Sequence, residues 1–109
     1  MAVNNSPMAL ATLKEVLDKA LGSEKGIKMV FSGGTKEQNS AAATYQRGRM
    51  HKLRVEDRRA SFQIYPEDHP LRGQSLWDGL MIAKVDRPDG VSELHVLKTS
   101  LSTFQIEDL

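Results

Sequence analysis

The sequence predicts a small α+β domain: a three- to four-stranded, mostly antiparallel sheet with two helices packed on one face. Three observations predict it. Apolar residues recur at helical spacing near the start of the chain, a longer helical stretch runs from Thr35 to Arg59, and two β-rich runs flank Arg87-Pro88-Asp89-Gly90. Helix, strand, helix and then a hairpin, in separated runs, is the order of an α+β fold. The 109 residues suit one domain, 1–109, with 1–6 and 100–109 expected as loosely held termini.

The first helix is expected over 7–21. Ser6 can cap the free amides and Pro7 is at home in the first helical position. Leu10, Leu13, Leu17, Ala20 and Leu21 then share a face, and Gly22 supplies the stop. Ile27, Met29 and Phe31 alternate with Lys28 and Val30, a strand with one apolar face. Ser32-Gly33-Gly34 ends it, and Thr35 with Gln38 makes a capping box that opens the second helix. A strand, two glycines and a helix N-terminus suggest a phosphate loop. The spacing of a glycine, four residues and Gly-Lys-Ser/Thr is missing, so ordinary turn chemistry explains the glycines.

In the second helix Ala41, Ala42, Tyr45, Gly48, Leu53 and Val55 form a broad arc, read as the inner face, with Gly48 allowing close approach to the sheet or a kink. Arg49 and Lys52 fall inside that arc and are expected to pack their stems along its margins. The helix is expected to fray near Asp57, with Phe62, Ile64 and Tyr65 extended. Pro66 to Gly79 reads as a long polar connection, a kind that is uncommon and often functional, with Trp77 at its end as a lid on the core. Residues 80–86 and 91–98 form the hairpin, because Pro88 fixes one torsion and Gly90 accepts a positive one. Ile27, Met29, Phe31, Leu80, Ile82, Val85, Leu94 and Val96 are expected on the buried side of the sheet. Phe104 and Ile106 belong to an edge strand or a loose tail.

Function is read mainly from charge. The net charge is only +1, which counts against a wholly basic nucleic-acid domain. Its distribution is uneven: residues 46–65 hold six Lys or Arg against Glu56 and Asp57, whereas residues 66–109 hold four against eight acids. Arg47, His51, Arg54 and Arg58 recur at intervals of four, three and four, one face of a helix, with Lys36 on the same side and Arg49 at its margin. Lys36, Arg47, Arg49, His51, Arg54 and Arg58 are therefore the candidate binding residues. The expected function is a non-catalytic module that contacts nucleic-acid phosphates through this helix. The alternative is a protein-interaction or assembly module whose basic helix docks an acidic surface, on another protein or a second copy.

Catalysis, metals and cofactors are not expected. The three histidines fall on different elements, without metal-ligand spacing, and there is no nucleophile elbow. The absence of cysteine excludes disulfides and thiolate metal sites. No apolar run nears the roughly 20 residues of a membrane span, and no signal peptide is recognisable, so a soluble cytoplasmic protein is expected.

The order of strand, capped helix with an arginine-rich second half, polar loop and hairpin resembles small uncharacterised proteins of phages and other mobile elements. Phe31, the run from Tyr45 to Arg54, and Asp78-Gly79-Leu80 carry the resemblance, over about half of the chain. It implies a viral or mobile-element origin, with the host cytoplasm as the location, and no activity.

Overall fold

The computed structural model describes residues 10–99. Element order is α1 (Leu10–Leu21), β1 (Ile27–Phe31), α2 (Lys36–Ile64), a 3-10 turn (Leu76–Gly79), β2 (Leu80–Asp86) and β3 (Ser92–Lys98). The expected cap at Ser6-Pro7 and the tail from Ser100 onward lie outside the described residues. The sheet is antiparallel in the order β1-β3-β2, so the last strand is the central one. The fold is the small α+β domain that the pattern of elements implied.

Register decides which residues point inward. Met29 lies opposite Leu94, and Ile82 opposite Val96, so these side chains share a face with Phe31 and Leu80. Leu13, Leu17 and Ala20 of α1 pack onto that face with Ala43, Met50 and Leu53 of α2. Both helices therefore cover one side. Each large apolar side chain buried there contributes about 1.5–3 kcal/mol of transfer free energy. Trp77 completes this core: it is buried and its indole Nε1 donates to Asp18 Oδ1 at 2.8 Å, which ties the 3-10 turn to α1.

Val85 does not belong to the buried side; it lies on the opposite face and is 37% exposed. The period of two that buries Leu80 and Ile82 turns Lys84 and Asp86 to the helix side instead. Neither is left bare, since Lys84 Nζ donates to Ser40 Oγ at 2.6 Å and Asp86 Oδ1 accepts from Ser92 Oγ at 2.7 Å. The turn between the strands closes with Arg87 N–H on the Val91 carbonyl at 2.8 Å, and Gly90 takes φ of 88°.

Two expectations about α2 are corrected. First, the helix does not fray near Asp57 but continues to Ile64, and Phe62 and Ile64 are helical. Tyr65 then turns extended (φ −106°, ψ 143°), the conformation imposed on a residue that precedes proline, here Pro66. Second, the helix is rotated from the expected arc. Its buried residues are Asn39, Ala43, Gln46, Met50, Leu53 and Ser61, while Tyr45 and Val55 are 55% and 45% exposed. The apolar pattern assigns polar residues to the wet side, but buried polar groups are tolerated when bonded. Asn39 donates from Nδ2 to the carbonyls of Gly90 (2.8 Å) and Gly34 (3.2 Å) and accepts from Gly34 N–H, which joins the helix to both neighbouring loops.

The 29 residues of α2 span about 43 Å, nearly twice the roughly 23 Å of a seven-residue strand. Its first two-thirds are pinned along β2 by Ser40 and by Arg54, whose guanidinium donates to the Leu80 carbonyl at 3.0 Å. The turns beyond Arg54 overhang the sheet. The 66–75 segment folds back against them through consecutive turns, with Gly73 N–H on Ser61 Oγ at 2.6 Å and the Arg72 guanidinium over the Phe62 ring. The Pro66–Gly79 connection is thus a built loop rather than a structureless one.

Candidate functional site

At 100° per residue, the buried stripe of α2 defines an inner side, and the six candidate residues fall around the rest of the helix. Arg47, His51, Arg54 and Arg58 lie along the flank that faces the free edge of β2. Lys36 shares this flank but sits beside Gly90, about 16 Å from Arg47 along the helix axis. Arg49 lies on the opposite flank. The structure brings four of the six together and leaves Lys36 and Arg49 apart from them.

The four are not equivalent. Arg58 Nε donates to Asp78 Oδ1 at 2.7 Å, and a second guanidinium nitrogen contacts the same oxygen. Arg54 is half-buried on the Leu80 carbonyl. These two arginines serve as braces between α2 and the entrance to β2. Asp78 is the partner of Arg58 and feels the charge of Arg54: it also accepts from Ser75 N–H at 2.8 Å, while the Ser75 hydroxyl accepts from Trp77 N–H, so the pair caps the 3-10 turn reciprocally. Burial works to raise the Asp78 carboxyl, but hydrogen bonds from Arg58 and Ser75 and the charges of Arg58 and Arg54 outweigh it and hold the pKa below its ordinary value. His51 goes the other way for a base. Partial burial, then the neighbouring Arg54 and Arg47, push its pKa down, so the ring takes up a proton less readily than an ordinary histidine.

The depressed Asp78 pKa makes a pH prediction. Its stabilising contribution is complete above the unfolded value near 3.8 and is lost as pH falls through the lower folded value. Asp78→Ala is therefore expected to lower stability by about 1 kcal/mol or more through the lost cap alone. The gap between wild type and variant, measured by urea unfolding, should be constant above about pH 5 and close below about pH 4. A gap that does not change with pH would show that the carboxylate charge is not what matters.

What remains exposed on α2 is a different set of cations. Arg47, Arg49, Lys52 and Arg59 form no ion pair with an acid among the described residues, and Glu56 is the one acid on the outward face between Thr44 and Arg59. Arg49 donates to Gln46 Oε1 at 3.3 Å and stands over the exposed Tyr45 ring at 5.7 Å. Gly48 sits at the centre of this face, and a Cβ there would meet nothing within 4 Å, so it does not serve a close approach to the sheet. Neither Lys52 nor Arg59 is among the six binding candidates read from the sequence, since Lys52 falls inside the apolar arc and Arg59 off the spacing of Arg47, His51, Arg54 and Arg58. Correct rotation of the helix was the missing signal.

Acids in the second half of the chain are largely consumed locally. Asp86 meets Lys84, Asp89 meets Arg87, and the buried Glu93 accepts from His95 Nε2 at 2.7 Å with Lys28 and Arg87 at 3.5 and 3.4 Å. The uneven charge along the sequence thus survives in space mainly as the basic outward face of α2. Among the described residues no group of three His, Cys, Asp or Glu could hold a metal ion, and no helix is long and apolar enough to cross a membrane. No protein-family model, curated protein or solved structure matches the chain.

Proposed function

We propose that the protein is a non-catalytic binding module that engages nucleic-acid phosphates through the outward face of α2, with Arg47, Arg49, Lys52 and Arg59 as the contacts. The single observation that carries this reading is the set of four cations around the solvent side of α2 without an acidic partner among the described residues, Lys52 and Arg59 outward with Arg47 and the half-buried Arg49 on its two flanks, spread over about 18 Å of one helix. That spacing lets several phosphates be met at once, and such contacts position a protein without reading sequence. Lys36 lies at the far end of the same helix and extends the positive field toward its N-terminus. Arg54 and Arg58 contribute field, while their hydrogen bonds stay with the fold. The exposed Tyr45 beside Arg49 adds a stacking surface of the kind that single strands use.

A second reading has its own observation. Val55 and Phe62 are exposed in line with Tyr45 and Gly48, an apolar thread through the basic face that suits an acidic, partly apolar protein segment. Salt titration by fluorescence anisotropy separates the two. Four duplex contacts should give a slope near −3.6, and four single-strand contacts about −2.8. The variant with Arg47, Arg49, Lys52 and Arg59 all changed to Glu should remain folded and lose binding to every oligonucleotide. An absence of binding to duplex, single-stranded DNA and RNA at low salt, with retained binding to an acidic peptide, would replace the first reading with the second.

A further inference from the structure

The overhang of α2 has a consequence at its other side. The inward stripe continues past the sheet as Asp57, Ser61 and Ile64, where no strand among the described residues covers it. The loop from Tyr65 covers it only in part, and a cleft of about 80 Å³ remains between Asp57, Ser61, Ile64, Tyr65, Leu71 and Leu76. A single water needs only about 10–15 Å³ of such space, so the cleft has room for one aliphatic side chain. Ile64 and Leu76 at its mouth are 70% and 68% exposed, and Leu71 is partly exposed. Three aliphatics converging on one cleft form a contiguous patch, unlike apolar residues scattered singly over a surface.

The cleft is held open by its own loop. Ser61 accepts from Gly73 N–H and donates to the Arg58 carbonyl; Leu71 N–H reaches His69 Nδ1 at 3.1 Å; and the His69 ring stacks on Tyr65 with centroids 4.4 Å apart. These bonds fix the positions of Leu71 and Tyr65 before anything binds, which lowers the ordering cost of binding. The charge beside the cleft is negative. Asp57 lines it and forms no ion pair among the described residues, and the exposed Glu67 and Asp68 belong to the same loop. Of the nearest cations, Arg58 is paired with Asp78, and Arg72 lies over the Phe62 ring with its charge retained, one cation against the three acids. Arg59, two residues on from Asp57, points to the opposite side of the helix.

We infer that this cleft is a docking site for a cationic amphipathic helix of another protein, which inserts one aliphatic side chain between Ile64, Leu71 and Leu76 and sets a Lys or Arg one turn away against Asp57. The sign of the charge rejects a polyanion here, so the site is separate from the basic face of α2. The two surfaces would let one module bridge a phosphate-bearing partner and a protein.

The probe is a designed helical peptide of Leu and Lys, with a Leu and Glu peptide of the same length as control, added to the full chain while its methyl resonances are followed by NMR. The Leu/Lys peptide should shift the methyls of Ile64, Leu71 and Leu76, and the Leu/Glu peptide should not. Asp57→Asn should weaken binding by up to about fivefold, as for a partly exposed ion pair. Ile64→Arg with Leu76→Arg should abolish it while the methyls of Leu13, Leu94 and Val96 keep their shifts, which confirms the fold. Equal shifts with both peptides, no response at millimolar peptide, or binding unaffected by the double variant would each overturn the inference. Shifts of the cleft methyls on addition of an oligonucleotide would do so too, whereas loss of oligonucleotide binding by the quadruple Glu variant bears only on α2.

Discussion

Changing Arg47, Arg54 and Arg58 together to glutamate is expected to destabilise the protein rather than merely strip its charge. Arg58→Glu sets a carboxylate against Asp78, and Arg54→Glu faces the Leu80 carbonyl with a second acceptor and no donor between them. Losing the charged hydrogen bond of Arg54 alone is worth about 1.5–3 kcal/mol. For a domain of this size each kcal/mol moves the thermal midpoint by about 4–8 °C, so a fall of about 10 °C or more is expected by scanning calorimetry. Arg47→Glu alone, on an exposed side chain, should leave the midpoint nearly unchanged. A triple variant as stable as wild type would show that the braces between α2 and β2 carry no weight.

Trp77→Ala should have an effect of similar size through packing. The indole is buried between the 3-10 turn, α1 and the sheet, and truncating a buried aromatic to alanine costs about 3–5 kcal/mol. Total stability of a small domain is about 5–15 kcal/mol, so the variant is expected near the edge of folding. Urea unfolding followed by circular dichroism measures this, since the only tryptophan is gone. Trp77→Phe keeps most of the volume and loses the bond to Asp18, and should cost less than half as much. In wild type, the buried indole should keep its emission on oligonucleotide addition. If Trp77→Ala unfolds at wild-type urea concentration, the residue is a lid on the surface rather than part of the core.

Local chemistry made much of the fold legible. The Thr35–Gln38 capping box, the alternation of Ile27, Met29 and Phe31, and the Pro88–Gly90 turn each act within a few residues, and each is found in place. Tyr65 before Pro66 was an equally local signal for the end of α2, but the alternating pattern of Phe62 and Ile64 hid it. The rotation of α2 was harder to read. An apolar-arc argument assumes that buried means apolar, and Asn39 and Gln46 break that assumption because the loops supply hydrogen-bond partners to Asn39, and Arg49 of the same helix supplies one to Gln46. The same error placed Lys52 among packed residues and Tyr45 inside, and so misjudged which cations face solvent.

By itself, then, the sequence determined the order and type of the elements, though not the end of α2, because capping, turn torsions and periodicity depend on neighbours along the chain. It also determined that positive charge concentrates between Gln46 and Tyr65. Tertiary structure alone decided which of those charges are available. Asp78 lies 20 residues from Arg58 in the chain, and the Leu80 carbonyl 26 from Arg54, and only the packing of α2 along β2 brings them together. The overhang that leaves Ile64, Leu71 and Leu76 exposed has the same origin: helix length is set locally, but the length of sheet available to cover it is set by the fold.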